Sequence, residues 1–390
     1  MRSLSSSLSI GFSKHGAPES SLALQRTLLS SQRDAVTVRF RLSPVNPADI
    51  NQIQGTYPIL PKLQANLLQN DPETPFAICG NEGVAEIVSV GENVDTAGKD
   101  WIKVGSRVVM KSAGAGTWSQ YAVMNPSNLV PMNNSGVSDL AAATIMVNPC
   151  TAYRMLRDFE DLKPGDTVIQ NGANSAVGQA VIQIAKSRNL KTINIIRGTT
   201  ATTTPRNSTT KSSTPPPPRP DLDALRSRLT ALGADMVVTE EEIRTDRSIQ
   251  QHLKSSSTIK LGLNCVGGKS AASIARWLQP SASLVTYGGM SKQPVEIPTS
   301  LLIFKDLKVK GFWMTRWNEL AASKAELEVE REAMIRELCR LSAAGLLATP
   351  DCEIVDVDGD GAECLEIVKR AVDVAMRGGS GKKQVFRFLD

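Results

Sequence analysis

The sequence predicts an α/β protein: a doubly wound parallel sheet joined to a second, β-rich domain. Three observations carry that reading. Short strand-like runs fill the region before residue 148, strands alternate with helices after it, and the chain is long enough for two cores. Its 390 residues, 41% hydrophobic and 21% charged, suit two domains at roughly 150 residues each.

The first strand begins near Leu8. Asp34–Leu42 alternates apolar and polar residues, and Gly83–Gly91 and Val104–Met110 are Val/Ile runs bounded by glycine; strands this short and this spaced suggest a β-barrel or sandwich. Asn148-Pro149 opens a helix through Glu160, with asparagine as cap and proline at the first helical position. The alternation then starts. Strands are expected at Thr167–Gln170, Thr192–Ile196, Met236–Thr239, Lys260–Asn264, Ser283–Tyr287 and Leu307–Phe312. Helices are expected at Val177–Lys186, along the face of Leu222, Leu225, Leu229 and Leu232 until Gly233, and at Ser270–Leu278. Such βαβ units build a parallel sheet. The last portion is helical over Ala321–Leu341 and closes with a β-like tail, Gln384–Phe388. Thr199–Pro218 fits neither domain: eight Thr, three Ser and five Pro cannot bury a face, and an extended loop is expected there.

Composition removes several functions. With 44 Lys+Arg against 39 Asp+Glu and a net charge of +5 spread without basic runs, nucleic acid is not the expected partner. No apolar stretch is long enough to span a bilayer. Two histidines, His15 and His252, and six scattered cysteines leave no ligand ladder for a metal and little room for histidine-based nucleophilic catalysis. The cysteines read as reduced, buried thiols. Met1–Pro18 carries Arg2, Lys14, several serines and no acid before Glu19, which suits a short transit peptide or an ordinary Ser-rich terminus equally.

Ligands of open α/β sheets bind outside the carboxyl ends of the strands, so the residues after each strand are the candidates. The first is followed by Ala173-Asn174-Ser175-Ala176-Val177-Gly178, a Gly-rich fingerprint reduced to its third glycine but correctly placed between strand and helix. Ser175 can donate a further hydrogen bond to phosphate. The second strand ends at Arg197 with no acid beside it, a pattern for a 2′-phosphate and thus NADP(H) rather than NAD. Tyr287-Gly288-Gly289-Met290 permits close backbone approach, and Phe312-Trp313-Met314 puts large apolar groups either at the ligand edge or in the core. In the β-rich domain, Tyr57 lies on a loop between Gly55 and Pro58 beside several amides; a phenol can protonate a carbanion or enolate.

These motifs resemble a known family. Val45 to Tyr57, Gly80-Asn81-Glu82-Gly83, Val147 to Tyr153, Leu263 to Ser270, Tyr287 to Met290 and Ile303 to Leu307 are similar to the mitochondrial 2-enoyl thioester reductases. Those are NADPH-dependent enoyl-CoA/enoyl-acyl-carrier-protein reductases of the zinc-free medium-chain dehydrogenase/reductase superfamily. The resemblance implies a GroES-like catalytic domain from residues 1–147 and 318–390, with a Rossmann domain, 148–317, inserted and carrying the 198–218 insertion. It implies Tyr57 as proton donor and Asn148 as a contact near the nicotinamide ribose. Asn174, Ser175, Ala176 and Val177 correspond to the pyrophosphate turn, and Arg197 and Arg219 to the 2′-phosphate ligands. Tyr287, Gly288, Gly289, Met290, Phe312, Trp313 and Met314 correspond to the nicotinamide surround, and Lys383 to a tail lysine reaching the cofactor. Asn81 stands where zinc-dependent relatives carry a ligand histidine, so no metal is expected. A trans-2-enoyl thioester substrate, an acyl carrier protein partner, a homodimer and a mitochondrial location are also implied. The alternatives are a zinc-free quinone or alkenal reductase, and a non-catalytic NADPH-binding interaction protein.

Overall fold

The computed structural model describes residues 6–30, 32–64, 75–133, 135–198, 221–255, 258–377 and 382–389. Arg219 and the Thr199–Pro218 segment lie outside them. The chain divides into two compact units, one of Met1–Val147, Asn318–Ala343 and Thr349–Asp390, the other of Asn148–Trp317 with Ala344–Ala348.

The first unit opens with β1 (Ser6–Phe12), β2 (Ala23–Leu28), β3 (Val36–Pro44) and β4 (Ala77–Ile78). It continues with β5 (Val84–Val90), β6 (Arg107–Met110), β7 (Tyr121–Met124) and β8 (Leu129–Pro131). The second unit holds β9 (Thr167–Asn171), β10 (Lys191–Ile196), β11 (Met236–Thr239), β12 (Ile259–Asn264), β13 (Ser283–Thr286) and β14 (Lys308–Gly311). The chain then returns to the first unit with β15 (Cys352–Val357) and β16 (Lys383–Phe388).

In the first unit, β2-β1-β4 form a small sheet, and β15-β16-β3-β5-β6-β8 a larger one with β7 also pairing β3. Apart from the parallel pair β15–β16, the pairings are antiparallel, as hairpins and meanders require. The tail strand β16 joins β3 through Val385–Pro44 and Phe386–Ser43, which carries Lys383 to the start of the helix Pro47–Ile53. Beneath it, Trp118 meets Phe386 edge-on at 5.0 Å, within a core that includes Ile10, Phe12, Ile53 and Val368.

The second unit is a six-stranded parallel sheet in the order β11-β10-β9-β12-β13-β14. Strand order reverses between β9 and β12, and that switch point is where such sheets bind dinucleotides. Ile169, Ile193, Leu284 and Ile274 are among the buried residues of its core. This is the doubly wound sheet that the alternation predicts.

Some local expectations are corrected. Asn148 is the first helical residue of Asn148–Asp158 rather than its cap, because the turn at 145–147 already winds into the helix, Ile145 being αR. The helix expected at Ala321–Leu341 is two helices, Met314–Ser323 and Ala325–Ala343. Met314 therefore begins a helix instead of prolonging β14. The helix Asp139–Thr144, the strand β15 and the helix Ala362–Arg377 had no counterpart in the sequence reading.

Candidate active site

The first unit supplies a tyrosine on an anchored loop. Asn46 is extended (φ −116°, ψ 157°) and Pro47 starts the helix Pro47–Ile53, as its fixed φ favours. Asp49 Oδ2 accepts from the Asn46 backbone N–H at 2.7 Å, satisfying a donor the helix start leaves open. Asp49, Ile50, Gln52 and Ile53 are buried, so this helix turns two polar side chains inward. Gly55 ends it at φ +72°, a region glycine enters without strain. The chain then reaches Tyr57, which is half-buried.

Around the inward face lies a buried polar cluster. Asn81 and Gln52 pair their amides reciprocally, at 2.7 and 3.3 Å, and Asn81 Nδ2 also donates to Asp49 Oδ1 at 2.5 Å. Asn46 Nδ2 donates to Glu82 Oε1 at 2.8 Å, while its Oδ1 accepts from Lys383 Nζ at 2.6 Å. Lys383 also donates to the Val45 carbonyl. Burial pushes the Asp49 carboxyl up to about 7, helped by the Glu82 charge and opposed by the hydrogen bonds from Asn46 and Asn81 and by Lys383. Burial also raises Glu82, against the Lys383 charge and the bonds from Asn46 and Val147. It lowers Lys383, against Glu82 and Asp49.

Asn81 Oδ1 accepts from the Gly114 N–H at 2.7 Å, so both ends of its amide are engaged. Among the described residues no three His, Cys, Asp or Glu come together as a ligand set. The residues present do not fit a metal.

The second unit supplies an anion cradle. Ser175 is the N-cap of the helix Ala176–Ser187, and its Oγ accepts from the Gly178 N–H at 3.1 Å. Ala176 and Val177 begin the helix, so their N–H groups have no intrahelical acceptor and point with the helix dipole toward an anion. A Cβ on Gly178 would come within 2.6 Å of the Ala173 carbonyl oxygen, which is why this glycine alone survives of the fingerprint. Beside the cradle the Tyr287 hydroxyl is buried with Cys265 and Ser175 near it, and it meets no hydrogen-bond partner at good geometry among the described residues. A buried phenol without a partner is a donor awaiting an acceptor. Burial holds its pKa well above the ordinary tyrosine range, so it stays protonated. The residues fit a dinucleotide.

Polar side chains lock the strand ends at the switch point. Asn171 donates to Asn264 Oδ1 and Ser270 Oγ, and accepts from the Cys265 N–H. Asn264 donates in turn to Thr286 Oγ1. The loop after β13 is held by Tyr287 N–H to Asn264 O and Met290 N–H to Cys265 O; Met290 itself is 57% exposed.

The structure brings together Tyr57's loop and Lys383 through the Gln52 and Asn46 ends of one cluster, and Ser175 with Tyr287 in the other unit. Asn174 accepts from the Gln179 side chain at the same turn. Arg197 follows β10, exposed, and makes no ion pair among the described residues. Gly288 and Gly289 extend the β13 loop. Phe312 packs edge-on against Phe159 at 5.9 Å, and Trp313 and buried Met314 lead into the next helix. Asn148 is buried at its helix start. The sequence reading missed Asp49 and Glu82 as buried charges and Asn171, Asn264 and Ser270 as a lock. A visible signal was the polar pair Asp49 and Gln52 at i and i+3, on a face otherwise carrying Ile50 and Ile53.

Comparison with known proteins agrees with this layout. Residues 32–134 match the alcohol dehydrogenase GroES-like domain, and residues 223–328 match the family described as zinc-binding dehydrogenase. The mitochondrial enoyl-[acyl-carrier-protein] reductase of Mus musculus is 40% identical over 96% of this chain and 87% of its own. The solved Etr1p/NADP/crotonyl-CoA complex superposes with a TM-score of 0.82 at 33% identity, covering 98% of this chain and 99% of that one. The mitochondrial 2-enoyl thioester reductase Etr1p/Etr2p heterodimer from Candida tropicalis gives 0.81 at the same identity and coverage. Fold and site define a medium-chain dehydrogenase/reductase, a GroES-like unit with a Rossmann unit. Within that class, the chain belongs to the mitochondrial enoyl-[acyl-carrier-protein] reductase family.

Proposed function

We propose that this chain reduces trans-2-enoyl thioesters, enoyl-CoA or enoyl-acyl-carrier-protein, to acyl thioesters with NADPH, in mitochondrial fatty acid synthesis. The observation that carries the reading is Tyr57 on its anchored loop, in a chain of the enoyl reductase family. NADPH supplies the hydride, which goes to the β carbon of the substrate. The thioester carbonyl takes up the charge as an enolate, and Tyr57 delivers a proton to the α carbon. Ala176, Val177 and Ser175 hold the pyrophosphate, the Tyr287 hydroxyl donates to the cofactor, and Arg197 pairs with the 2′-phosphate. Lys383, held by the Val45 carbonyl and Asn46 Oδ1, would supply a fixed cation to the cofactor. Rate comes from orientation and preorganised polar groups.

The working form is a dimer, as the solved Etr1p/Etr2p heterodimer suggests, here of two copies of this chain. Strand β14 has no further strand beyond it among the described residues, and the helix just before it carries Ile303 and Phe304, 66% and 82% exposed; such an edge pairs with another chain. An acidic carrier protein is compatible with the net charge of +5.

The test is NADPH oxidation by the purified protein with trans-2-enoyl-CoAs of graded length, beside the same acyl groups on carrier protein and beside quinones. Turnover of enoyl thioesters above quinones supports the reading. Faster quinone turnover, or NADPH binding with no turnover, overturns it.

A further inference from the structure

We propose that Gln52 is a positioning residue for the reduction, a latch whose side-chain amide holds the Tyr57 loop to the buried cluster. The proposal rests on the reading of Tyr57 as proton donor. The loop leaves the helix Pro47–Ile53 with two backbone ties on its near side, Gly55 N–H to Gln52 O at 3.1 Å and Thr56 N–H to Asn51 O at 2.9 Å. Beyond Tyr57 comes Pro58, which has no N–H to give. The far side is held instead by Gln52 Nε2, which donates to the Ile59 carbonyl at 3.0 Å. One side chain therefore spans the loop from its helix to the residue two past Tyr57.

The latch has a firm base. Gln52 is 2% exposed, and its amide is clamped to Asn81, which is itself fixed by Asp49 and the Gly114 N–H. On the other side, His15 Nδ1 lies 3.0 Å from the Gln52 carbonyl oxygen, pinning the helix end. A buried position between Ile50 and Ile53 would accept an apolar side chain for packing alone. Glutamine there supplies what packing does not need: a donor for Ile59 and an acceptor for Asn81. A general acid displaced by about 1 Å can lose up to about a hundredfold in rate, so a tether on this loop bears on turnover.

The experiment compares Gln52→Met and Gln52→Asn in the wild-type and Tyr57→Phe backgrounds. Methionine keeps the volume and loses both amide functions; asparagine keeps a neutral amide in the cluster on a stem one methylene shorter, too short to span to the Ile59 carbonyl. It is read alone should Gln52→Met not fold. The readouts are kcat, NADPH Kd and amide hydrogen exchange over residues 54–60. Either variant should lower kcat about tenfold with NADPH Kd unchanged and speed exchange at Gly55 and Thr56 about tenfold or more. In the Tyr57→Phe background the further loss of kcat should shrink to about twofold or less. Unchanged exchange over 54–60, or an equal fold-loss of kcat in both backgrounds, overturns the latch. Should Tyr57→Phe alone retain full turnover, the proton-donor reading falls, and the exchange data still decide whether Gln52 holds the loop.

Discussion

Asn81 donates to Asp49 at 2.5 Å inside the GroES-like unit. An amide thus answers a buried carboxylate whose other oxygen accepts from the Asn46 backbone N–H. Asp49 and Glu82 are both buried, and Lys383 is the cation that faces them. Two carboxylates and one ammonium leave an excess negative charge, which burial resists by retaining a proton.

Stability should therefore depend on pH through Asp49. Its folded pKa, about 7, lies above the unfolded 3.8, so between those values the folded state binds more protons than the unfolded one. The stabilisation from this group is fully present below pH 3.8 and is lost as pH rises through about 7. Glu82, also raised, acts with the same sign. Urea midpoints measured from pH 4 to pH 8 should fall for this contribution, and Asp49→Asn should flatten the slope. A slope unaffected by that substitution would remove Asp49 as its source.

Replacing Tyr57 by phenylalanine removes the phenol and keeps the ring. General acid catalysis is worth about 10²- to 10⁴-fold, so kcat on an enoyl-CoA should fall within that range while the NADPH Kd stays unchanged. Wild-type turnover in Tyr57→Phe would show that the proton comes from elsewhere.

The two units were unequally legible in the sequence. The Rossmann unit was readable because most of its strands are short apolar or β-branched runs followed by a turn, and strand order places the ligand loops on one edge. Ser175, Arg197 and Tyr287 could be singled out on that ground. Tyr57 could not: a loop tyrosine between Gly55 and Pro58 has no spacing signature, and its role came from family resemblance. Asp49 and Glu82 lie in separate segments, and only the fold of β3 and β5 brings them to Lys383. Strand β15 escaped notice because it is mostly exposed, so Cys352–Val357 lacks a strong buried face. The tandem helices from Met314 were obscured by Phe312-Trp313-Met314, aromatic and apolar enough to read as the end of a strand.

Cofactor choice should follow Arg197. Its guanidinium is exposed beyond β10, free of the carboxylate that would favour a ribose 2′-hydroxyl. A hydrogen bond to a charged group contributes about 1.5–3 kcal/mol, so Arg197→Ala should raise the KM for NADPH about 10- to 100-fold and leave the NADH value nearly unchanged. Steady-state kinetics with both cofactors checks this. Equal effects would mean that the 2′-phosphate is held elsewhere.

The exposed ring of Phe304 offers a handle on assembly. Burying a phenylalanine contributes about 1.5–3 kcal/mol, and a glutamate in its place also brings a charge into the β14 face. Phe304→Glu should weaken the homodimer at least about tenfold, visible by sedimentation velocity at micromolar concentration. A dimer of unchanged strength would place the interface away from this edge.

Gly178 links fold stability to cofactor binding through one contact. Its Cα faces the Ala173 backbone, and an added methyl would meet the Ala173 carbonyl oxygen at 2.6 Å and carbonyl carbon at 2.8 Å. Neither is a flexible side-chain end, so the helix Ala176–Ser187 must shift away from β9. Overpacking of this kind costs about 1–3 kcal/mol, and Gly178→Ala should lower the Tm by several degrees. The same shift moves the Ala176 and Val177 N–H groups and the Ser175 hydroxyl away from the buried Tyr287 hydroxyl, so NADPH affinity should drop as well. Calorimetric Tm and fluorescence titration of NADPH measure the two losses separately. A lowered Tm with NADPH affinity intact would mean that the helix start does not carry the pyrophosphate.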